Sequence, residues 1–273
     1  MIALSVMASC DRGQQSATAS AATGDSTLCQ FSNLKLNRMY YCIGEGGDTL
    51  YFDNTITALW PQVINGKSCD ALQQALLRAM TDSAGLNTLD KAADFLLNPG
   101  NYSEYASSDL VPVDHVVAND GKLSTSEVRI NMESMTDRLL TYHLGTYAYM
   151  AGGAHGIYGN NYVTYDLKTG KAVSLSDIIG DTTLLRQVTL TSIKREYDYD
   201  KSDLLLPDDG VLPLPGDFFI QDHVLHVVYQ VYEIASYAQG MIVAPIHPYL
   251  LKPEEMKRLF TDYGHELTAK YYE

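Results

Sequence analysis

The side chains best suited to chemistry in this chain are scattered histidines and carboxylates. The most singular is His155, set among glycines in Gly152-Gly153-Ala154-His155-Gly156. Glycines permit positive φ and close backbone approach, so the imidazole could be presented to a cleft as a ligand or a base. Either role needs partners. His143, His226, Glu233 and His247 are candidates, but their spacing matches no metal-site pattern. Without a spaced partner, His155 reads first as a turn histidine bonded to backbone. Asp166 and Glu233 could in principle form a carboxylate pair for glycoside hydrolysis. Asp166 precedes a turn it can cap, Glu233 can engage nearby backbone amides, and no spacing joins the two. Tyr229, Tyr232, Tyr237 and Tyr249 gather near the C-terminal strands and could line a sugar- or protein-binding face. Sheet packing is the plainer role for each of them.

Other signatures of catalysis are missing from the sequence. It has no H-E-x-x-H, no G-x-S-x-G, no phosphate-binding G-x-x-x-x-G-K-[ST] and no S-x-x-K with its partner motifs. Gly152, Gly153, Gly156 and Gly159 do not space as G-x-G-x-x-G. No cofactor and no metal are therefore expected, and binding is favoured over catalysis.

The formal net charge is −14 over 273 residues. Nucleic-acid binding needs a basic surface to neutralise phosphates, so no nucleic-acid partner is expected. An acidic protein would instead attract a basic partner and speed the encounter. Tyrosine is abundant, at 20 residues against 6 Phe and 1 Trp. Its apolar body and polar tip suit half-buried strands and wet binding faces.

The N-terminus carries the expected location. Residues 1–10, MIALSVMASC, are apolar, then small, and end at Cys10. They read as the tail of a lipoprotein signal peptide, with Met7, Ala8 and Ser9 preceding a lipidated Cys10. Residues 11–27 hold no large apolar side chain and read as a flexible tether. The expectation is a cell-envelope protein held to the membrane by a lipid anchor. Cys29, Cys42 and Cys69 remain. In an exported protein one disulfide with one leftover thiol is expected, and the three pairings cannot be ranked.

The elements that must position these residues are mostly strands. The run 28–64 reads as a long hairpin turning at 44–48, which Pro61 either ends or edges. Residues 68–80 carry a helical stripe (Cys69, Leu72, Leu76, Ala79, Met80) behind a Ser68 N-cap. A second helix is expected over 88–98, stopped by Pro99-Gly100. Val128, Ile130 and Met132 alternate on one strand face, 138–151 reads as a central strand, and 152–161 as a turn before a strand at 162–167. A helix behind an Asp181 N-cap, strands near 217–222 and 224–234, an extended segment at 241–250 and a helix from Pro253 complete the pattern. Strand runs interrupted by helices predict an α+β fold, an antiparallel sheet packed by helices.

Three segments together carry a resemblance: YMAGGAHGIYGNNYVTYDLKTGKAVSLSDII at 149–179, DFFIQDHVLHVVYQVYEIASYAQG at 217–240 and IHPYLL at 246–251. They resemble the extracytoplasmic domain of unknown function of RsiV-type anti-sigma factors, related to a domain beside the catalytic domain of PdaC-type polysaccharide deacetylases. Ser236 stands where that pattern often has proline, and His247-Pro248-Tyr249 shifts its last motif. The resemblance covers roughly 120–252, with 28–98 similar to the region that precedes it. It implies an α+β fold, an extracytoplasmic place and, by analogy with the anti-sigma factors, binding of lysozyme. It implies no catalytic residue.

The expected organisation is thus a signal peptide at 1–10, a tether at 11–27, a companion region at 28–118 and an RsiV-type domain at 119–273, the last two packed as one unit. The expected function is binding or sensing of a wall component such as peptidoglycan, or of a basic wall-degrading protein such as lysozyme. His155, Tyr232, Glu233, Tyr237 and Tyr249 are the expected binding residues. The alternative is an envelope glycan or peptidoglycan hydrolase using His155 and Glu233.

Overall fold

The computed structural model describes residues 15–19, 29–83, 85–116, 122–136, 138–221 and 224–257. The expected signal peptide with Cys10 lies outside the described residues, as does the expected boundary at 118/119. The chain forms twelve described strands: β1 Gln15–Ala19, β2 Cys29–Ile43, β3 Thr49–Ile64, β4 Lys67–Ser68, β5 Val111–Val113, β6 Leu123–Met135, β7 Leu139–Tyr149, β8 Ile157–Asp166, β9 Lys171–Ala172, β10 Asp217–Gln221, β11 Val224–Tyr229 and β12 Ile242–Ile246. The helices are α1 Asp70–Thr81, α2 Leu89–Leu96, α3 Leu175–Ile178, α4 Thr182–Tyr197 and α5 Pro253–Lys257. The fold is α+β as expected; β2 runs antiparallel to β3, and β3 and β6 run parallel.

Two compact units are present. The first holds residues up to Asn131 together with Leu144–Tyr158. Its frame is the β2–β3 hairpin, paired from Ile43↔Thr49 back to Cys29↔Ile64. The register slips between Gln30 and Phe31, where Phe31 faces Pro61. A bulge tolerates a residue that has no N–H to donate, so β3 continues past Pro61 instead of ending there. Asn65 and Gly66 then take positive φ (52° and 71°) and turn β3 into β4. That is the backbone an Asn-Gly two-residue hairpin requires. Within the expected tether, residues 15–19 pair with β2 as an edge strand.

α1 begins one residue later than its stripe suggests. Cys69 holds the N-cap position, and Ser68 instead donates its hydroxyl to Asp70. Leu72, Leu76 and Leu77 are buried. α2 is capped by Thr88, which accepts from the Lys91 N–H. Buried Asn54 on β3 donates to the Leu97 carbonyl and accepts from the Tyr102 hydroxyl, tying the strand to the end of α2. On β6, Val128 and Ile130 are buried, but Met132 is 36% exposed, so the expected apolar alternation stops short of the strand end. Cys29, Cys42 and Cys69 are free thiols, so the expected disulfide is not formed. Cys29 pairs across β3 at Ile64 on the β2 side, while the Cys69 N–H reaches Gln62 of β3 from the β4 side.

The second unit holds Met132–His143 and everything from Gly159. β9 pairs with β8 only at Tyr165↔Ala172 and Asp166↔Lys171, and a separate sheet has the order β10-β11-β12. α4 lies along β12. Leu185, Val188 and Ile193 of α4 are buried with Leu225, Val227 and Ile242 of the sheet. Each such side chain contributes about 1.5–3 kcal/mol by leaving water. Asp181 caps α4, as its position before the helical stripe suggested, by accepting the Leu184 N–H. α4 also seals the outer edge of β12. The Tyr197 hydroxyl accepts the Val243 N–H at 2.9 Å and donates to the Val243 carbonyl at 3.1 Å, and Ser192 donates to the Pro245 carbonyl. Pro245 itself offers no N–H, which suits an edge strand. Among the described residues no helix is long and apolar enough to cross a membrane.

Candidate functional site

The edge of β8 sets up the site. β9 covers only its last two residues, so Asn160 and Tyr162 would leave backbone groups unpaired. Two side chains from the three-stranded sheet close that gap. Gln230, just beyond β11, accepts the Asn160 N–H at 3.0 Å through Oε1, and its Nε2 donates to the Asn160 carbonyl. One amide side chain thus pairs as the next strand would. Asp217, opening β10, accepts the Tyr162 N–H at 2.9 Å through Oδ1 and the Gln230 Nε2 at 3.2 Å through Oδ2. His143 Nε2 lies 2.7 Å from Asn160 Oδ1.

A pile of rings stands over this bracket. His143 stacks on Tyr162 at 5.0 Å, Tyr162 on Phe219 at 4.8 Å and Phe219 on His226 at 4.6 Å between centroids. Tyr162 and Phe219 are each stacked on both sides, so the pile ties β7, β8, β10 and β11 together.

From Gln230 the chain enters a tight turn. Glu233 folds back so that its Oε2 accepts the Gln230 N–H at 2.8 Å, while the Glu233 N–H donates to the Gln230 carbonyl. Between them Tyr232 takes φ 67°, a left-handed conformation that costs a non-glycine residue roughly 1–2 kcal/mol. Its N–H donates to the Ala235 carbonyl, and the neighbouring Ile234 carbonyl accepts the Leu205 N–H. The ring is 61% exposed and lies 5.8 Å from that of Tyr237. Ser236 donates its N–H and its hydroxyl to Gln239 Oε1, which braces the segment that follows.

The carboxylates of this site are drawn from water, and among the described residues neither forms an ion pair. Burial pushes the Asp217 carboxyl above its usual range, and the N–H donors from Tyr162 and Gln230 offset this only in part. Burial also raises Glu233; the Gln230 amide pulls it down, and the charge of Asp217 pushes it up again. Burial lifts the Tyr162 hydroxyl to about 12, with Glu133 and Asp217 adding to the effect.

Tyr232, Glu233 and Tyr237 therefore come together in one braced turn. Tyr249 is carried by the short 3₁₀ turn Pro248–Leu250 of the same unit, 62% exposed and stacked on His247 at 5.3 Å. His155 belongs to the first unit, in the loop between β7 and β8. It is exposed, and its Nδ1 lies 2.9 Å from the Gly156 carbonyl. Gly156 is needed there because a Cβ would sit 2.4 Å from the Tyr147 ring. Asp166 caps its turn, accepting the Lys168 and Thr169 N–H groups, and pairs with Arg138. No group of three His, Cys, Asp or Glu side chains that could hold a metal is gathered among the described residues. Asn160, Asp217 and Gln230 were not anticipated. A polar Gln230 and an Asp217 bounding apolar strands were the available signal.

Known proteins share this architecture. No curated protein matches the chain. A crystal structure of a DUF3298 family member from Bacteroides fragilis is similar with a TM-score of 0.58 at 15% identity, covering 85% of this chain and 98% of its own. A DUF3298 family protein from Pseudomonas aeruginosa is similar with a TM-score of 0.53 at 17% identity, covering 81% and 94%. At such identities the likeness speaks for the fold. In sequence, residues 175–248, from α3 through the Tyr232 turn to β12, match the family described as protein of unknown function, DUF3298.

Proposed function

We propose that this protein is an extracytoplasmic binding module of the cell envelope, tethered through a lipidated Cys10, which recognises a wall component or a basic wall-degrading protein such as lysozyme. The observation that carries the reading is Tyr232: a large ring, mostly exposed, held at φ 67° by a turn bonded to itself on both sides. Backbone strain of this kind persists where the surroundings over-determine it, and it clusters at recognition sites. A rigid tyrosine supplies contact area at low entropic cost. Tyr237 beside it and Tyr249 nearby in sequence add rings of the same type. The net charge of −14 suits a cationic partner and would raise its association rate at low salt.

The hydrolase reading with His155 and Glu233 is the weaker one. The Glu233 carboxylate is engaged by its own turn. Calorimetric titration with lysozyme and with purified peptidoglycan, each at two salt concentrations, tests the proposal. Binding to either, weakened at least tenfold by Tyr232→Ala, is expected. Absence of binding to both at low salt would overturn it.

A further inference from the structure

Large apolar side chains that face solvent gather at one end of the sheet in the first unit. Tyr147, Met150 and Ile157, the last 62% exposed, sit in the loop joining β7 to β8 and on its flanks. Ile43, 60% exposed, ends β2, and exposed Val111 begins β5, where it pairs with Tyr41 of β2. The strand registers align them. Tyr41 pairs with Tyr51 and Tyr51 with Leu123; one residue on, the Ser124 hydroxyl accepts the Ala151 N–H. β2, β3, β6 and β7 stand in that order, so the side chains spread over roughly 15 Å. The loop is well defined: the Gly153 N–H donates to the Met150 carbonyl, and Gly152 takes φ 80°. From Leu139 to Tyr165 the sequence has no Asp, Glu, Lys or Arg, in a chain that is 19% charged. Exposed aromatic and aliphatic side chains on an uncharged segment match the water–lipid interface, where tyrosine rings settle and charges are costly.

The N-terminal segment leads to the same end. β1 is antiparallel to β2 and Gln15 pairs with Lys35, so the chain enters β1 from the side of Tyr40 and Tyr41. Cys10 precedes Gln15 by as many residues as Tyr40 follows Lys35, a reach of at most about 18 Å. We propose that the β7–β8 loop, together with Ile43 and Val111, rests end-on against the surface of neutral phospholipid beside the Cys10 anchor. This surface rests on the reading of the protein as tethered through Cys10. The anchor would hold the loop at a high local concentration of lipid. Exposed Glu45, Glu104 and Asp109 border the same end, where their charges act on Cys42 and Tyr105, and Lys122 is paired with Asp48. Contact is therefore at headgroup depth, and anionic lipid opposes it.

Flotation with phosphatidylcholine vesicles at millimolar lipid tests this on the full chain carrying Cys10→Ser, which cannot be acylated. Co-flotation is expected. Met150→Asp and Ile157→Asp, both at exposed positions, should each weaken it about threefold and together about tenfold, because such binding scales with the apolar area buried. Mixing in phosphatidylglycerol should weaken it as well, and Tyr232→Ala should leave it unchanged. Absence of co-flotation with the neutral vesicles would overturn the proposal, and so would aspartate variants that float like their parent. Tighter binding to the anionic vesicles would overturn it too. A dimer formed without lipid and lost with Ile157→Asp would make a second copy the occupant and overturn it likewise. No acyl chain, lysozyme or peptidoglycan enters the measurement. Failure here therefore leaves recognition through Tyr232 standing, and a native Cys10 found without lipid leaves the flotation result standing.

Discussion

Arg138 donates two hydrogen bonds to one oxygen of Asp166, from Nε at 3.2 Å and from a terminal nitrogen at 2.9 Å. The other oxygen of Asp166 accepts the N–H groups of Lys168 and Thr169. The pair joins the start of β7 to the end of β8, and the Asp166 side chain is only 4% exposed. A carboxylate buried this far is tolerable only with every lone pair engaged.

Removing Arg138 leaves that charge without its ion-pair partner. Arg138→Ala should destabilise the protein by about 3 kcal/mol, read from denaturant unfolding at pH 7. Burial would raise the Asp166 carboxyl, but the bonds from Arg138, Thr169 and Lys168 outweigh it and hold it below the usual range. The stability it lends is therefore present above the unfolded pKa, near 4, and is lost as pH falls through the lower folded value. The variant's deficit should shrink below about pH 4. A deficit independent of pH would show that packing, not charge, is what the substitution removes.

Tyr197 makes a separate prediction at the opposite edge of the small sheet. Its hydroxyl serves both backbone groups of Val243. Tyr197→Phe keeps the ring and removes both bonds, at about 1–3 kcal/mol for the unpaired edge groups. Exchange of the Val243 amide should accelerate with it. Unchanged exchange would mean that water replaces the hydroxyl at no cost.

Tyr232 separates stability from recognition. Tyr232→Gly relieves the left-handed strain, whereas Tyr232→Ala removes the ring and keeps the strain. The glycine variant should be more stable than the alanine variant by about 1 kcal/mol in thermal or chemical unfolding. Both should lose binding to whichever of lysozyme or peptidoglycan the wild type binds. A stable glycine variant that still binds would remove Tyr232 from the recognition surface.

Much of the element order could be read from residue patterns. The β2–β3 hairpin, the α1 stripe with Leu72 and Leu76 and the Asp181 cap follow from local periodicity and from side chains that bond their own backbone. Where the structure departs from the local pattern, a tertiary contact overrides a local preference. Ser68 is a sound N-cap by type, yet the helix starts at Asp70 because Lys67 and Ser68 pair with β3. Residues 157–161, which the glycine-rich pattern predicts as turn, instead open β8.

Composition and local spacing alone determined the α+β class, the acidic balance and the choice of Tyr232, Glu233 and Tyr237 as neighbours, since those three lie within one turn of chain. Only the tertiary structure decided what holds them. Asn160, Asp217 and Gln230 lie far apart in the sequence, and a bracket made by one side-chain amide across a strand edge has no periodic signature. Its partners are selected by which backbone groups remain unpaired once the strands have assembled, a quantity that does not exist before the fold does.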